Sequence, residues 1–150
     1  QKPRPPVMVG GWGKTRTPRL AARYADEFNV PFAPRPAAFT SQVEAVRAAC
    51  EALGRDPGSM IWSAARTVVC GEDEATYARR AAAIGRDPGD LRTNAAAGTV
   101  AEVTDKLAGF VEAGAGGGFR GWLHSRRCDV GRSFCLGLGL LVVSGSGSAG

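Results

Sequence analysis

Apolar residues along this chain recur with two different spacings, which predict strands and amphipathic helices in alternation. Short apolar runs indicate strands, and apolar residues three and four positions apart indicate helices. The spacing predicts a strand over 6–9, a helix over 16–24, a short β-prone segment over 25–30, a helix over 37–53, a strand over 60–70, and helices over 71–84 and 99–113. The strand over 60–70 is rich enough in alanine, valine, isoleucine and tryptophan to be buried on both faces, as in a parallel sheet.

Strands that alternate with helices predict an α/β fold, because parallel strands need crossover connections and helices supply them. Roughly three such units precede residue 115, which fits either a Rossmann-like sheet or part of a (β/α)8 barrel. Residues that commonly begin or end helices occur at the expected helix ends. Thr99 and Glu102 have the spacing of a capping box, Thr40 or Ser41 is expected to cap the helix over 37–53, and Gly54 is expected to end it.

A glycine-rich turn joins the first predicted strand to the first helix. It contains Gly10, Gly11 and Gly13, and Arg16 and Thr17 open the helix that follows. Glycine lets a backbone approach an anion closely, and the free N–H groups of a first helical turn point toward it. The turn is therefore a candidate phosphate site, although a purely structural turn explains the same glycines equally well.

The charges around this turn favour an anion, but the motif is not that of an ATP-binding loop. Lys14, Arg16 and Arg19 add positive charge. The run Gly13-Lys14-Thr15 resembles the end of a Walker A loop, which also requires a glycine five residues before Gly13, and methionine stands there. ATP binding of that type is therefore disfavoured.

Composition and charge narrow the function classes. The chain has 150 residues, room for one modest domain, and a formal net charge of +5. Its positive residues are scattered, so nucleic-acid binding rests on charge alone and would show a steep dependence on salt. We expect no specific nucleic-acid partner. The acids Asp26 and Glu27, with Asn29, are interpreted as a solvated strand entrance rather than as a catalytic set.

Cysteine and histidine positions give no metal-site pattern. The four cysteines contain no C-x-x-C pair, and His124 is not close to two of them, so no metal site is expected. Cys50 and Cys70 are predicted to be small buried hydrophobes. The start of the chain does not resemble a signal peptide, and the apolar run 134–143 is broken by glycines and too short to span a bilayer. A cytoplasmic protein without a membrane partner is expected.

The character of the sequence changes near Gly114. Glycine and serine dominate residues 116–150, and acidic residues nearly vanish. A change of reading frame near Gly114 would explain this shift. We therefore divide the chain into a domain over 1–115 and a low-complexity tail over 116–150 that is expected to be disordered or only partly docked.

Several segments together resemble the luciferase-like monooxygenase family, most closely the members that use the deazaflavin coenzyme F-420. The resemblance covers roughly residues 5 to 115. It is carried by Pro-Val-Met-Val-Gly-Gly-Trp-Gly at 6–13, Arg16-Thr17, the run 19–29, the helix segment 43–51, the Gly-Arg-Asp-Pro turn at 54–57, and Gly98-Thr99. Trp12, Lys14, Thr15 and Pro18 depart from the family pattern.

The resemblance implies a fold, a cofactor and partners. The chain would supply the C-terminal half of a (β/α)8 TIM barrel, with coenzyme F-420 or alternatively FMN bound at the carboxyl ends of the strands. The residues that would hold the cofactor phosphate are Gly10, Gly11, Gly13, Arg16 and Thr17. A small-molecule substrate is implied, no catalytic residue can be assigned, and the open sheet edges of a half barrel would pair with another copy of the chain.

Two functions follow from this. The first is a fragment of a flavin- or deazaflavin-dependent oxidoreductase, acting by hydride transfer or as a monooxygenase, in which the cofactor carries the chemistry and the protein positions it. The second is a catalytically inactive α/β remnant with at most weak anion binding.

Overall fold

The computed structural model describes residues 2–115, 118–122 and 138–146. Strands and helices alternate through the first part of the chain. Their bounds are β1 (Met8–Gly10), α1 (Arg16–Tyr24), β2 (Glu27–Pro31), α2 (Pro36–Glu51), β3 (Ile61–Gly71), α3 (Glu74–Ala83), α4 (Pro88–Asn94), β4 (Ala96–Thr99), α5 (Val100–Glu112), β5 (Gly118–Trp122) and β6 (Leu138–Ser146).

One sheet organises these elements. β1 pairs with β2, β2 with β3 and β3 with β4, and all three pairings are parallel. β6 pairs with β3 and β5 pairs with β6, both antiparallel, so that β1, β2, β3, β6 and β5 follow one another across the sheet. Parallel strands joined through helices confirm the predicted α/β class.

Two hydrophobic clusters pack on opposite faces of this sheet. Adjacent residues of β4 separate them, because Ala96 belongs to the larger cluster and Ala97 to the smaller, and successive strand residues point to opposite faces. The larger cluster joins the strands to α1, α2 and α5, and its members include Phe28, Val30, Phe39, Val46, Met60, Trp62, Leu107 and Phe110. The smaller one joins β3 and β4 to α3 and α4 through Val69, Tyr77, Ala81, Leu91 and Ala97.

Helix starts differ from the predictions where proline or aspartate fixes them. α2 begins at Pro36, whose missing N–H suits the first helical position, so the predicted cap at Thr40 or Ser41 is wrong. The Thr40 hydroxyl instead donates to the Pro36 carbonyl at 3.2 Å. α3 begins three residues later than predicted because the Asp73 side chain accepts a hydrogen bond from the Thr76 N–H at 2.7 Å.

The capping box that begins α5 is confirmed. The Glu102 carboxylate accepts from the Thr99 N–H at 2.7 Å and from the Thr99 hydroxyl at 3.0 Å. α4 and β4 were not predicted, since seven and four residues are too few for a periodic signal.

Two stretches of the segment 116–150 belong to the sheet. β5 and β6 lie where the sequence predicted a tail without regular structure. A parallel strand after α5 was the pattern expected of a continuing βα series, whereas β5 is antiparallel to β6. The division of the chain at residue 115 stays a prediction. Among the described residues, no helix combines the length and apolar character needed to cross a bilayer.

An ion pair fastens the segment before β1 to the start of β2. The Arg4 guanidinium donates two hydrogen bonds of 2.6 Å to the Asp26 carboxylate, which also accepts from the Val7 N–H at 2.7 Å. These bonds lower the pKa of Asp26 to about 2, with the Arg4 hydrogen bond as the largest cause and the Val7 N–H next. The folded state therefore favours the ionised form of the Asp26 carboxyl group.

The pH dependence of stability should report this carboxylate. Because its folded pKa lies below the ordinary value, the stabilisation is present above about pH 4 and is lost as the pH falls toward 2. We expect the urea midpoint of Asp26→Asn to fall less than that of the wild type between pH 4 and 2. Glu112→Gln, which changes an exposed carboxyl on α5, is the matched control and should follow the wild type. If the urea midpoints of Asp26→Asn and the wild type fell equally between pH 4 and 2, the lowered pKa of Asp26 would be contradicted.

Candidate functional site

The glycine-rich turn leaves the carboxyl end of β1 and enters α1. Gly10 pairs with Asn29 of β2, and a Cβ on Gly10 would lie 3.1 Å from the Asn29 carbonyl oxygen. The Gly11 N–H donates to that same carbonyl at 3.3 Å, and Gly11 has a φ of +138°, a backbone conformation that side chains disfavour. The path of the chain therefore favours glycine at both positions, through a tight contact at Gly10 and through the φ angle at Gly11.

Gly13 is held against the first turn of α1. A Cβ at this position would collide with the Thr17 hydroxyl and lie 2.8 Å from Thr17 Cβ. From the other side, the buried Gln42 of α2 donates to the Gly13 carbonyl at 3.1 Å. The turn is thus fixed between α1 and α2.

Backbone donors are left free where α1 begins. The Thr15 side chain makes no capping hydrogen bond, and the N–H groups of Arg16 and Thr17 have no acceptor among the described residues. Pro18 has no N–H to offer, so the usual set of first-turn donors is smaller here. The N-terminal end of a helix attracts anions through these donors and through its dipole.

Positive side chains surround this helix start. Lys14, Arg16 and Arg19 are exposed, and α1 has no acidic residue in its first turn. Among the described residues none of these three forms an ion pair. They are therefore available to a ligand that carries negative charge.

The Trp12 indole, which departs from the family pattern, points toward β2. Its Nε1 donates to the Pro31 carbonyl at 2.7 Å, at the carboxyl end of that strand. The indole remains 45% exposed. The hydrogen bond therefore ties the indole to the end of β2.

The prediction that Asp26, Glu27 and Asn29 form a solvated strand entrance is wrong for two of the three residues. Glu27 and Asn29 are each only 8% exposed, so they do not form a solvated strand entrance, whereas Asp26 is partly exposed and paired with Arg4. Glu27 and Asn29 share one sheet face because they are two residues apart, and Phe28 packs on the other face. The Asn29 amide donates to the buried Ser63 hydroxyl at 2.8 Å. This face of β2 and β3 is polar and reaches the glycine-rich turn.

The structure gathers all five predicted cofactor-binding residues into one turn at one edge of the sheet, and their role in binding stays a prediction. Two supporting residues were missed, Gln42 and Asn29. A signal for Gln42 was present, since a polar residue occurs three positions after Phe39 on the apolar side of α2. No local pattern could reveal Asn29, because its role depends on pairing between strands.

Two of the four cysteines lie in the part of the chain that the structure describes. Cys50 and Cys70 are buried as predicted, and burial raises the pKa of both thiols, which therefore stay protonated. Within the part of the chain that the structure describes, no group of three histidine, cysteine or acidic side chains could hold a metal ion. His124, Cys128 and Cys135 lie outside the described residues.

Comparisons with known proteins agree with the resemblance. The profile of the luciferase-like monooxygenase family matches residues 1–88. A phthiodiolone/phenolphthiodiolone dimycocerosates ketoreductase of Mycobacterium kansasii is 41% identical over 69 residues, which are 46% of this chain and 18% of the ketoreductase. The coenzyme F420 dependent tetrahydromethanopterin reductase of Methanopyrus kandleri superposes with a TM-score of 0.53 at 18% identity, over 73% of this chain and 42% of the reductase.

These matches differ in what they support. The reductase shares the fold at low identity, and this chain spans less than half the length of either protein. The family profile, in contrast, matches more than half of this chain. The chain therefore belongs to the luciferase-like monooxygenase family.

Proposed function

We propose that this chain is part of a deazaflavin-dependent oxidoreductase and that its glycine-rich turn binds the phosphate of coenzyme F-420, with FMN as the alternative cofactor. The observation that carries the proposal is the pair of free N–H groups on Arg16 and Thr17. They lie at the carboxyl end of β1, beside three cations that form no ion pair with a described residue. Ligands of open α/β sheets and barrels bind at this end of the strands.

The residues of the turn fit a phosphate group. The Thr15 and Thr17 hydroxyls form no hydrogen bond with a described residue and can donate beside the two N–H groups. Lys14 and Arg16 add the charge that strengthens such bonds. A phosphate would thus meet both backbone and side-chain donors.

The rest of the site would orient the cofactor ring and the substrate. A reduced deazaflavin or flavin supplies the hydride or the electrons when it is bound. The polar face formed by Glu27, Asn29 and Ser63 is buried beside the turn, and the hydrogen bond from Asn29 to Ser63 would hold β2 and β3 in place next to a bound cofactor. No described residue is assigned a proton-transfer role.

A second candidate, the inactive remnant, is favoured by a different observation. Gly10 packs on the Asn29 carbonyl and Gly13 packs on Thr17, so the fold itself requires these glycines whether or not a ligand binds. A chain that spans only part of its relatives could retain such a turn and lack an active site.

Direct titration separates the two candidates. We expect the purified chain to change the fluorescence of F-420 saturably, with weaker affinity at moderate salt than at low salt because the bound group is an anion. A parallel titration with FMN identifies the preferred cofactor. Soluble, folded protein that binds neither compound would favour the remnant.

Three further expectations remain proposals. The substrate is a small molecule, the chain functions in the cytoplasm, and copies of the chain pair through an open sheet edge. β1 is the edge strand of the described sheet at one side, and the exposed Met8 lies on it. Sedimentation of the purified chain over a range of concentrations tests the pairing.

A further inference from the structure

A buried arginine lies on the face of the sheet that α5 covers, and its Nε has no hydrogen-bond partner among the described residues. Arg66 of β3 is 3% exposed, and its guanidinium carbon lies 4.7 Å from the centre of the Phe110 ring of α5. Its Nε is buried without a hydrogen-bond partner, and no carboxylate of the described residues forms an ion pair with it. Burial lowers the pKa of this guanidinium, although arginine stays charged at neutral pH.

Such an arrangement is unfavourable unless something compensates the charge. A buried cation loses its hydration, and the contact with an aromatic face replaces only part of it. Natural proteins almost always pair a buried arginine with an anion. Arg66 therefore implies an anionic group that the described residues do not provide.

A cavity of about 260 Å³ lies beside this arginine. Its walls include the loop before α2, the end of α4 and one side of α5, and the side chains that matter here are those of Arg35, Arg66, Asp105 and Lys106. Three of these four are cations. The volume suits a small oxyanion better than a nucleotide-sized molecule.

The N-terminus of α2 opens onto the same cavity. Pro36, the first residue of this 16-residue helix, lines it, and Arg35 at the cap position gives no side-chain capping bond. The positive end of the helix dipole therefore adds to the charge of Arg66. Two independent features of the fold point to an anion at one place: a helix start, and a buried guanidinium whose Nε has no hydrogen-bond partner among the described residues.

Lys106 and Asp105 are the remaining charged residues that line the cavity. Lys106 Nζ donates to the carbonyls of Arg92 at 2.5 Å and Ala97 at 2.9 Å, which leaves one of its three N–H bonds for a ligand. Asp105 is exposed and opposes an anion. The cations still outnumber the acid three to one.

We propose that this cavity is a binding site for a small oxyanion of the phosphate type, held by Arg66, Lys106 and the start of α2. The site is separate from the glycine-rich turn, because Arg66 points to the cluster that contains Phe110 while the turn lies at the end of β1. It does not depend on the proposed cofactor. A bound oxyanion would fasten α2 and α5 to β3.

Thermal unfolding in inorganic phosphate tests the proposal. Phosphate is varied at constant ionic strength against chloride, and the melting temperature of the full chain is expected to rise saturably. Arg66→Met should lose most of the phosphate dependence, since only the weaker binding of inorganic phosphate at the glycine-rich turn would remain. It should be at least as stable as the wild type in chloride, because it removes an uncompensated buried charge. Arg86→Met, an exposed control, should respond as the wild type does. No phosphate effect in the wild type, or an unchanged effect in Arg66→Met, overturns the proposal.

Two further variants keep the result unambiguous. Gly109 of α5 lines the cavity, and a Cβ there would lie 3.3 Å from Pro36 Cγ, so Gly109→Val fills space without changing charge. It should weaken the apparent phosphate affinity at least about tenfold, and it replaces Arg66→Met as the test should that variant fail to fold. Gly13→Ala disturbs the turn, so the phosphate response that it retains reports the cavity. Loss of the whole response in Gly13→Ala, with the response of Arg66→Met unchanged, would assign the binding to the turn and overturn the cavity site.

Discussion

Replacing Gly13 with alanine is expected to weaken the binding of coenzyme F-420 by roughly ten- to a hundredfold. The added Cβ would collide with the Thr17 hydroxyl and lie 3.2 Å from the Thr17 backbone nitrogen. Thr17 must then move, and its N–H is one of the two donors assigned to the phosphate. A hydrogen bond to a charged group contributes about 1.5–3 kcal/mol, which corresponds to that range of affinity.

Fluorescence titration of F-420 measures the effect, with Gly54→Ala as the matched control. Gly54 has a φ of +67° and a Cβ there would meet nothing within 4 Å, so alanine strains the backbone far from the turn. This control should lose about 1 kcal/mol of stability and keep the wild-type affinity. Wild-type affinity in a folded Gly13→Ala variant would contradict the role of the turn.

A double variant distinguishes a steric cause from a general loss of structure. In Gly13→Ala/Thr17→Gly the atoms that the new Cβ would strike first, the Thr17 hydroxyl and Cβ, are absent, while the backbone N–H remains. We expect the double variant to regain part of the affinity. No recovery would indicate that the Thr17 side chain itself, rather than its N–H, binds the phosphate.

The parts of this fold that were predicted from sequence are those set by neighbours along the chain. α1 has the predicted bounds because its apolar face and the glycine-rich turn before it are both local signals. The capping box at Thr99 and Glu102 is likewise a matter of spacing. The turn that carries the five candidate residues forms where the sequence placed it because Gly10 and Thr17 are close in sequence, and the role of these residues in binding stays a prediction.

The parts that were missed depend on contacts between distant segments. The burial of Glu27 and Asn29 depends on tertiary packing, and the pairing of β2 with β3 brings Asn29 opposite Ser63. β4 has only alanine, glycine and threonine, and its strand conformation results from pairing with the end of β3. Arg66 lies in a predicted strand whose apolar character gave no reason to expect a buried cation.

The replacement of Phe39 by alanine is expected to cost the largest share of the folding free energy, about 3–5 kcal/mol. Phe39 of α2 is fully buried in the larger cluster, and its ring centre lies 6.2 Å from that of Phe110 at an interplanar angle of 71°. Alanine would leave a cavity between α2 and α5. Small domains are stable by about 5–15 kcal/mol in total, so urea unfolding should shift strongly.

Phe32→Ala is the matched control, because it makes the same substitution at a side chain that is 58% exposed. It should change stability by less than about 0.5 kcal/mol. Phe39→Leu keeps most of the volume and should lose less than about 1.5 kcal/mol, so it reports on the site even if Phe39→Ala does not fold. Equal urea midpoints for Phe39→Ala and Phe32→Ala would contradict the packing of α2 on α5.

The same ring pair connects the core to the proposed oxyanion site. The Phe110 ring contacts both the Phe39 ring and the Arg66 guanidinium. A substitution that makes Phe110 more mobile should therefore also make Arg66 more mobile. We therefore expect Phe39→Leu to reduce the phosphate-dependent rise in melting temperature, while Phe32→Ala leaves that rise unchanged. An edge-to-face pair contributes about 0.5–1.5 kcal/mol beyond area burial, which bounds the coupling that a double-mutant cycle between Phe39 and Phe110 should give. A coupling near zero would mean that α2 and α5 support the cavity independently.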